Sequence, residues 1–168
     1  MKGIIMNGLA VLNIAVLLLL SAPALAQQKG GIVLTSVSEV EVTQQNAEGK
    51  KEVKRIDAAQ AKVVPGDTVI FTVSYANSDT KPADRIVVIN PVPQHMSYLD
   101  KSAEGTGAAI EFSVDGGKTY AAPGKLMVAA EGKQRLAAAS DYTHIRWTIS
   151  KPLAPGAKGS VSFRAVLK

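Results

Sequence analysis

Apolar and polar residues alternate at a period of two along most of this chain. That period cannot build one face of a helix, which repeats every ~3.6 residues, but it does build one face of a strand. Val69, Phe71, Val73 and Tyr75 alternate with Thr68, Ile70, Thr72 and Ser74. Ile110, Phe112 and Val114 alternate with Glu111 and Ser113. Ile145, Trp147 and Ile149 alternate with His144, Arg146 and Thr148. Val161, Phe163, Ala165 and Leu167 alternate with Ser162, Arg164 and Val166. Ile86-Val87-Val88-Ile89 is apolar on both faces and reads as a central strand. Residues 32–43 alternate less cleanly, and 53–56 form a weaker strand.

The turns fit the strands. Pro65-Gly66-Asp67 and Pro155-Gly156 each precede a strand, with proline presetting the first corner and glycine free to take the second. Residues 77–82 are a loop by composition, and Asp115-Gly116-Gly117 is a tight hairpin. Pro91 and Pro93 end the strand before them, because proline cannot donate to a ladder. Residues 126–139 are alanine-rich, are interrupted by Gly132 and carry no helical stripe, so they read as a loop or a short irregular strand. The expected class is all-β. A sandwich of two sheets suits one clean alternating face per strand better than a barrel.

The start of the chain is of another kind. One charge at Lys2 precedes an apolar run ending in Val16-Leu17-Leu18-Leu19-Leu20, followed by Ala24-Leu25-Ala26-Gln27. Small residues at Ala24 and Ala26 suit a signal peptidase, so residues 1–26 are expected to be a leader cleaved after Ala26. The rival, an uncleaved membrane anchor, is disfavoured because the unbroken apolar stretch falls short of the ~20 residues a bilayer requires. The mature chain then has 142 residues, the 168 less 26, with 18 Lys+Arg against 14 Asp+Glu. This is enough chain to bury a real core. The chain has no cysteine, which excludes a disulfide scaffold, a thiolate zinc site and a thiol catalyst. A hydrophobic content of 46% excludes a disordered chain.

Val64-Pro65-Gly66-Asp67-Thr68-Val69-Ile70-Phe71-Thr72-Val73-Ser74-Tyr75-Ala76-Asn77 resembles the opening of the "conserved repeat domain", domain of unknown function eleven of bacterial and archaeal surface proteins. The continuation Ala83-Asp84-Arg85-Ile86-Val87-Val88-Ile89-Asn90-Pro91-Val92-Pro93, the aromatic Tyr98 and the closing Leu153-Ala154-Pro155-Gly156 are also similar to it. The resemblance covers residues 63–168. Asn90 departs from the commoner aspartate, and this chain carries one copy where the family usually has tandem repeats. The resemblance implies an immunoglobulin-like antiparallel β-sandwich in the cell envelope, with no catalytic residues. Residues 27–62 then form an N-terminal strand or hairpin extension.

The candidate sites each have a plain structural reading. Ser113-Val114-Asp115-Gly116-Gly117-Lys118-Thr119-Tyr120 resembles the Asp-box hairpin of propellers, where Asp115 accepts turn amides; one copy makes it a structural hairpin. Asp67, Asp79, Asp84, Asp100 and Asp115 fall in loops or at strand ends, yet no run supplies the roughly six to eight oxygens calcium takes. Glu39 and Glu41 share one strand face, opposite Val40 and Val42. His95 and His144 have no histidine or cysteine nearby in sequence and read as surface residues. Trp147 and Tyr142 could line a sugar platform, but the position of Trp147 between Ile145 and Ile149 places it in the core. Lys50, Lys51, Lys54 and Arg55 form the main basic cluster, suited to an anionic wall polymer or lipid. Nucleic acid is not expected, since only 5% of residues are aromatic.

No catalytic, cofactor-binding or metal-binding residues are therefore assigned. The expected protein is a non-enzymatic exported envelope module, periplasmic or secreted. Its partner would be another envelope protein, bound through an edge strand within residues 32–43. The alternative is a carbohydrate- or calcium-binding sandwich module using the loops 77–84 and 115–122.

Overall fold

A computed structural model of the chain describes residues 31–168 apart from residue 131. The expected leader and its cleavage site lie outside those residues. The strands run in order β1 (Ile32–Gln45), β2 (Lys51–Asp57), β3 (Thr68–Asn77), β4 (Val87–Pro91), β5 (Met96–Tyr98) and β6 (Glu104–Gly105). They continue with β7 (Ala108–Ser113), β8 (Met127–Ala130), β9 (Lys133–Leu136), β10 (His144–Ile149) and β11 (Lys158–Leu167). A 3-10 turn at Ala139–Asp141 precedes β10.

All strand pairs are antiparallel. The larger sheet has the order β2-β1-β3-β11-β5, with β6 also on β11; the smaller is β4-β10-β7. The alternation of β3 and β11 turns Val73, Tyr75, Val161, Phe163 and Ala165 to one face. That face packs on Val88, Phe112, Ile145, Trp147 and Ile149 of the smaller sheet in a single core. Trp147 and Phe163 meet across it with ring centroids 6.2 Å apart, and both are wholly buried. The molecule is an all-β sandwich, as the alternation requires.

The turns brace this core. Gly66 takes a φ of 96° and its N–H donates to Leu167 O, while Asp67 Oδ2 accepts the Val64 N–H at 2.8 Å. The turn before β3 is thereby fastened to the end of β11. Gly159 stands opposite Tyr75, and the Tyr75 ring lies where a Cβ at 159 would go. Glycine there lets an aromatic side chain of β3 cover the backbone of β11.

Three expectations need correction. Residues 86–89 do not form a central strand: β4 pairs only with β10 and is an edge. Ile86 and Val88 face the core, whereas Val87 and Ile89 are 47% and 52% exposed on the outer face. Residues 126–139 are not irregular, because β8 and β9 form a regular hairpin of their own. Arg135 clamps this hairpin to the 3-10 turn by a two-pronged pair with Asp141, Nη1 to Oδ2 at 2.6 Å and Nη2 to Oδ1 at 3.0 Å. The weak strand at 53–56 is longer, spanning Lys51–Asp57.

The N-terminal segment both joins the sheet and extends past it. β1 pairs with β3 from Ile32 to Val40, then outruns it and pairs with β2 alone. The five residues past Val40 would project roughly 17 Å at the rise of an antiparallel strand.

Candidate functional site

An exposed sheet edge is a row of unpaired amides and carbonyls, and folded proteins usually protect it. Most edges of this sandwich are protected. β2 carries Lys51, Glu52, Lys54, Arg55 and Asp57. β5 and β6 are three and two residues long. β4 contains Pro91, which has no N–H to offer, and is preceded by Arg85 at a left-handed φ of 53°. The outer side of β7 is closed at Phe112, which exchanges two backbone hydrogen bonds with Ala121.

The first half of β1 has none of these protections. β2 stops covering it at Ser38, whose carbonyl accepts the Ala58 N–H at 2.8 Å. From Ile32 to Val37, β1 pairs on one side with β3, and no described residue pairs on the other. Gly31 O accepts from Ser78 on the β3 side, and ladder groups alternate sides. Ile32, Leu34 and Ser36 therefore direct their amides and carbonyls to the open side. Residues 32–38 read Ile-Val-Leu-Thr-Ser-Val-Ser, with no charge and no proline. The expected edge at residues 32–43 is thus an edge only in its first half.

Both faces of this half-strand are open as well. Leu34 and Ser36 point the same way as Val40, toward the core side, yet Leu34 is 53% exposed. Ile32 at the start of the strand is half-buried against the core, and the inner face is open at Leu34 and Ser36. On the outer face Val33 and Val37 are each 41% exposed. A shallow trough of about 670 Å³ runs beside Val33, bordered also by Thr35, Ser74, Ala76, Lys158 and Ser160.

The sequence candidates occupy other places. The Asp115 hairpin is a closed hydrogen-bond unit: Asp115 accepts from Thr119 Oγ1, the Ser113 hydroxyl and the amides of Lys118 and Thr119. These donors, Thr119 first, hold its carboxyl well below the usual carboxylate range. Asp67 and Asp79 accept from neighbouring amides in their own turns. Among the described residues, no three Asp, Glu or His side chains converge on one point. Glu41 bridges Arg55 at 3.2 Å and Arg164 at 3.4 Å, so the basic cluster at the ribbon is interleaved with acid. His95 is exposed, and half-buried His144 sits with Nδ1 3.2 Å from Thr143 Oγ1. Trp147 and Tyr142 are both buried core residues.

Two clusters escaped the sequence reading because their members lie on separate strands or loops. On the outer face of the smaller sheet, Arg146 pairs with Glu111 at 2.7 Å and lies 4.3 Å over the Tyr120 ring. At the β5–β7 side, Tyr98, Asp100, Lys101, Ile110, Phe112 and Tyr142 border a cleft of about 310 Å³. Burial, with a smaller contribution from nearby Asp100, raises both tyrosine hydroxyls above their ordinary range. Phe112 and Tyr142 stack on each other at 4.4 Å, which makes the cleft wall part of the core.

No family model, curated protein or solved structure matches the chain. Among the described residues no helix is long and apolar enough to cross a membrane.

Proposed function

We propose that this is a non-enzymatic, exported envelope protein with an immunoglobulin-like sandwich that works as an interaction module by accepting a strand at β1. One observation carries the reading: among the described residues, the first half of β1 is an open edge without proline, charge or cover. An incoming strand would gain main-chain hydrogen bonds from Ile32, Leu34 and Ser36, and contacts with Leu34 on one face and Val33 and Val37 on the other. Export is inferred from the leader-like residues 1–26, and the envelope setting from the resemblance of residues 63–168.

The test is Leu34→Pro. The Leu34 N–H faces the open side, so proline there removes a free donor and leaves the β3 ladder intact. Crosslinking in intact cells should recover a dominant envelope partner with the native protein and lose it with the variant, while the circular dichroism and melting temperature stay close to native. Undiminished recovery with Leu34→Pro overturns the reading.

A further inference from the structure

We infer that the cleft bordered by Tyr98, Ile110, Phe112 and Tyr142 binds a small uncharged ligand that joins an apolar group bearing one acceptor oxygen to a set of hydroxyls, the chemistry of an N-acetylated sugar. The cleft lies where the sandwich is open at its side. β5 ends the larger sheet and β7 ends the smaller one, and no ladder joins those two strands. β3 and β11 separate this side from β1, so the site is independent of the strand-accepting edge. A volume of about 310 Å³ stands at the lower end of ligand pockets, roughly 300–1,000 Å³, which suits one ring with its substituents and not a polymer chain.

The cleft grades from an apolar floor to a charged mouth. Tyr98, Phe112 and Tyr142 are each more than nine-tenths buried, Ala103 and Ile110 are half-buried, and Asp100 and Lys101 are exposed. The side chains of the floor are carbon apart from two phenol hydroxyls. Tyr98 Oη accepts the Ala103 N–H at 3.0 Å, and the Gly124 amide is directed at Tyr142 Oη. Neither phenol proton has an acceptor among the described residues. Buried tyrosine hydroxyls usually donate to a partner, and a ligand oxygen in the cleft supplies one. Burial raises both hydroxyls above their ordinary range, so at neutral pH they remain donors.

This floor fits a group that is apolar except for one inward acceptor. In an acetamido group the methyl would pack on Ala103 and Ile110 while the carbonyl oxygen takes the phenol protons. A carboxylate fits worse, because Asp100 is close enough to both phenols to act on them and repels a second negative charge. At the mouth, the Asp100 carboxylate accepts from ligand hydroxyls and the Lys101 ammonium donates to them. The two charges cancel, which matches a neutral ligand.

The test is an amide NMR titration of the exported protein with the methyl glycoside of N-acetylglucosamine. The amides of Ala103 and Gly124, which face the two phenol oxygens, should shift. Methyl glucoside keeps the ring and hydroxyls but lacks the acetamido group, and it should bind about tenfold more weakly or worse, as should cyclohexanol. Tyr142→Phe removes one phenol proton and keeps the ring. It should weaken binding about tenfold while the melting temperature stays close to native. Asp100→Asn keeps an acceptor oxygen without the charge and should weaken binding roughly threefold. No shifts in the native protein, shifts centred away from the cleft, equal affinity for cyclohexanol, or unchanged affinity in Tyr142→Phe would each overturn the inference.

Discussion

Asn77 closes the end of β3 with one side chain. It is buried, its Nδ2 donates to Lys81 O and Leu153 O, both at 2.8 Å, and its Oδ1 accepts the Asp79 N–H. Removing it strands two carbonyls and an amide at a buried corner. Asn77→Ala should cost about 2–3 kcal/mol in urea unfolding, and Asn77→Asp should not restore it, since a carboxylate cannot donate to the two carbonyls. Gly159 makes the complementary steric case. A Cβ there collides with the Tyr75 ring, so Gly159→Ala should destabilise by about 1–3 kcal/mol. The same change in a Tyr75→Val background should cost much less; equal costs in both backgrounds would remove Tyr75 as the cause. Asp115 makes an electrostatic prediction. Its carboxyl is depressed in the folded chain, so its stabilising effect is full above the unfolded value near 3.8 and is lost as pH falls toward the lower folded value. The stability advantage of the native protein over Asp115→Asn should therefore be constant from pH 7 to about pH 5 and shrink below pH 4. An advantage that grows on acidification would contradict this.

At the scale of the element, legibility in the sequence follows burial. β10 and β11 have one face in the core and one more open, and β3 and β7 do so apart from Ile70 and Ser113, which are buried on the outer set, so the alternation is visible in the residues and points the core face inward. Trp147 is placed in the core by the same logic. β4 departs from the expected central strand because an apolar run does not distinguish a strand covered on both faces from an edge that leaves Val87 and Ile89 in solvent. The β8–β9 hairpin is not legible in the sequence because its burial contrast is weak: Met127 and Ala129 are exposed and Val128 and Ala130 only half-buried. The open half of β1 could not be located either, since it depends on where β2 stops, and that is fixed by the register between Ser38 and Ala58. The ribbon past Val40 offers a test of element independence. Val53 is 64% exposed, and β2 buries no side chain fully. Replacing residues 43–53 by Asn-Gly, with Val42 and Lys54 as the closing pair, should change stability by no more than about 0.5 kcal/mol. A larger loss would show that the ribbon packs on the sandwich.

Across the whole molecule, the two sheets differ in width, and the difference divides stability from binding. β3, β11 and β10 lie between other strands and carry the shared core, whereas β2 and the part of β1 away from Ile32 and Val40 form a single, largely exposed layer. A single layer has one hydrogen-bonded ladder to lose and little buried surface to expose, so it opens locally at far lower cost than the core. A surface that accepts another strand belongs in such a layer, where adding the strand supplies the missing cover without disturbing Trp147 or Phe163. The prediction concerns hydrogen exchange in the monomer. The amides of Ile145, Trp147 and Phe163 should exchange only through global unfolding. Their free energy should match the value from denaturant unfolding followed by the fluorescence of Trp147, the sole tryptophan and a buried one. The amides of Val53 and Arg55 should exchange orders of magnitude faster, with those of Thr35 and Val37 between, because these two donate into the β3 ladder. Uniform protection from β2 through β10 would mean that the wing and the core unfold as one unit, and the division between a stable sandwich and an adaptable edge would fail.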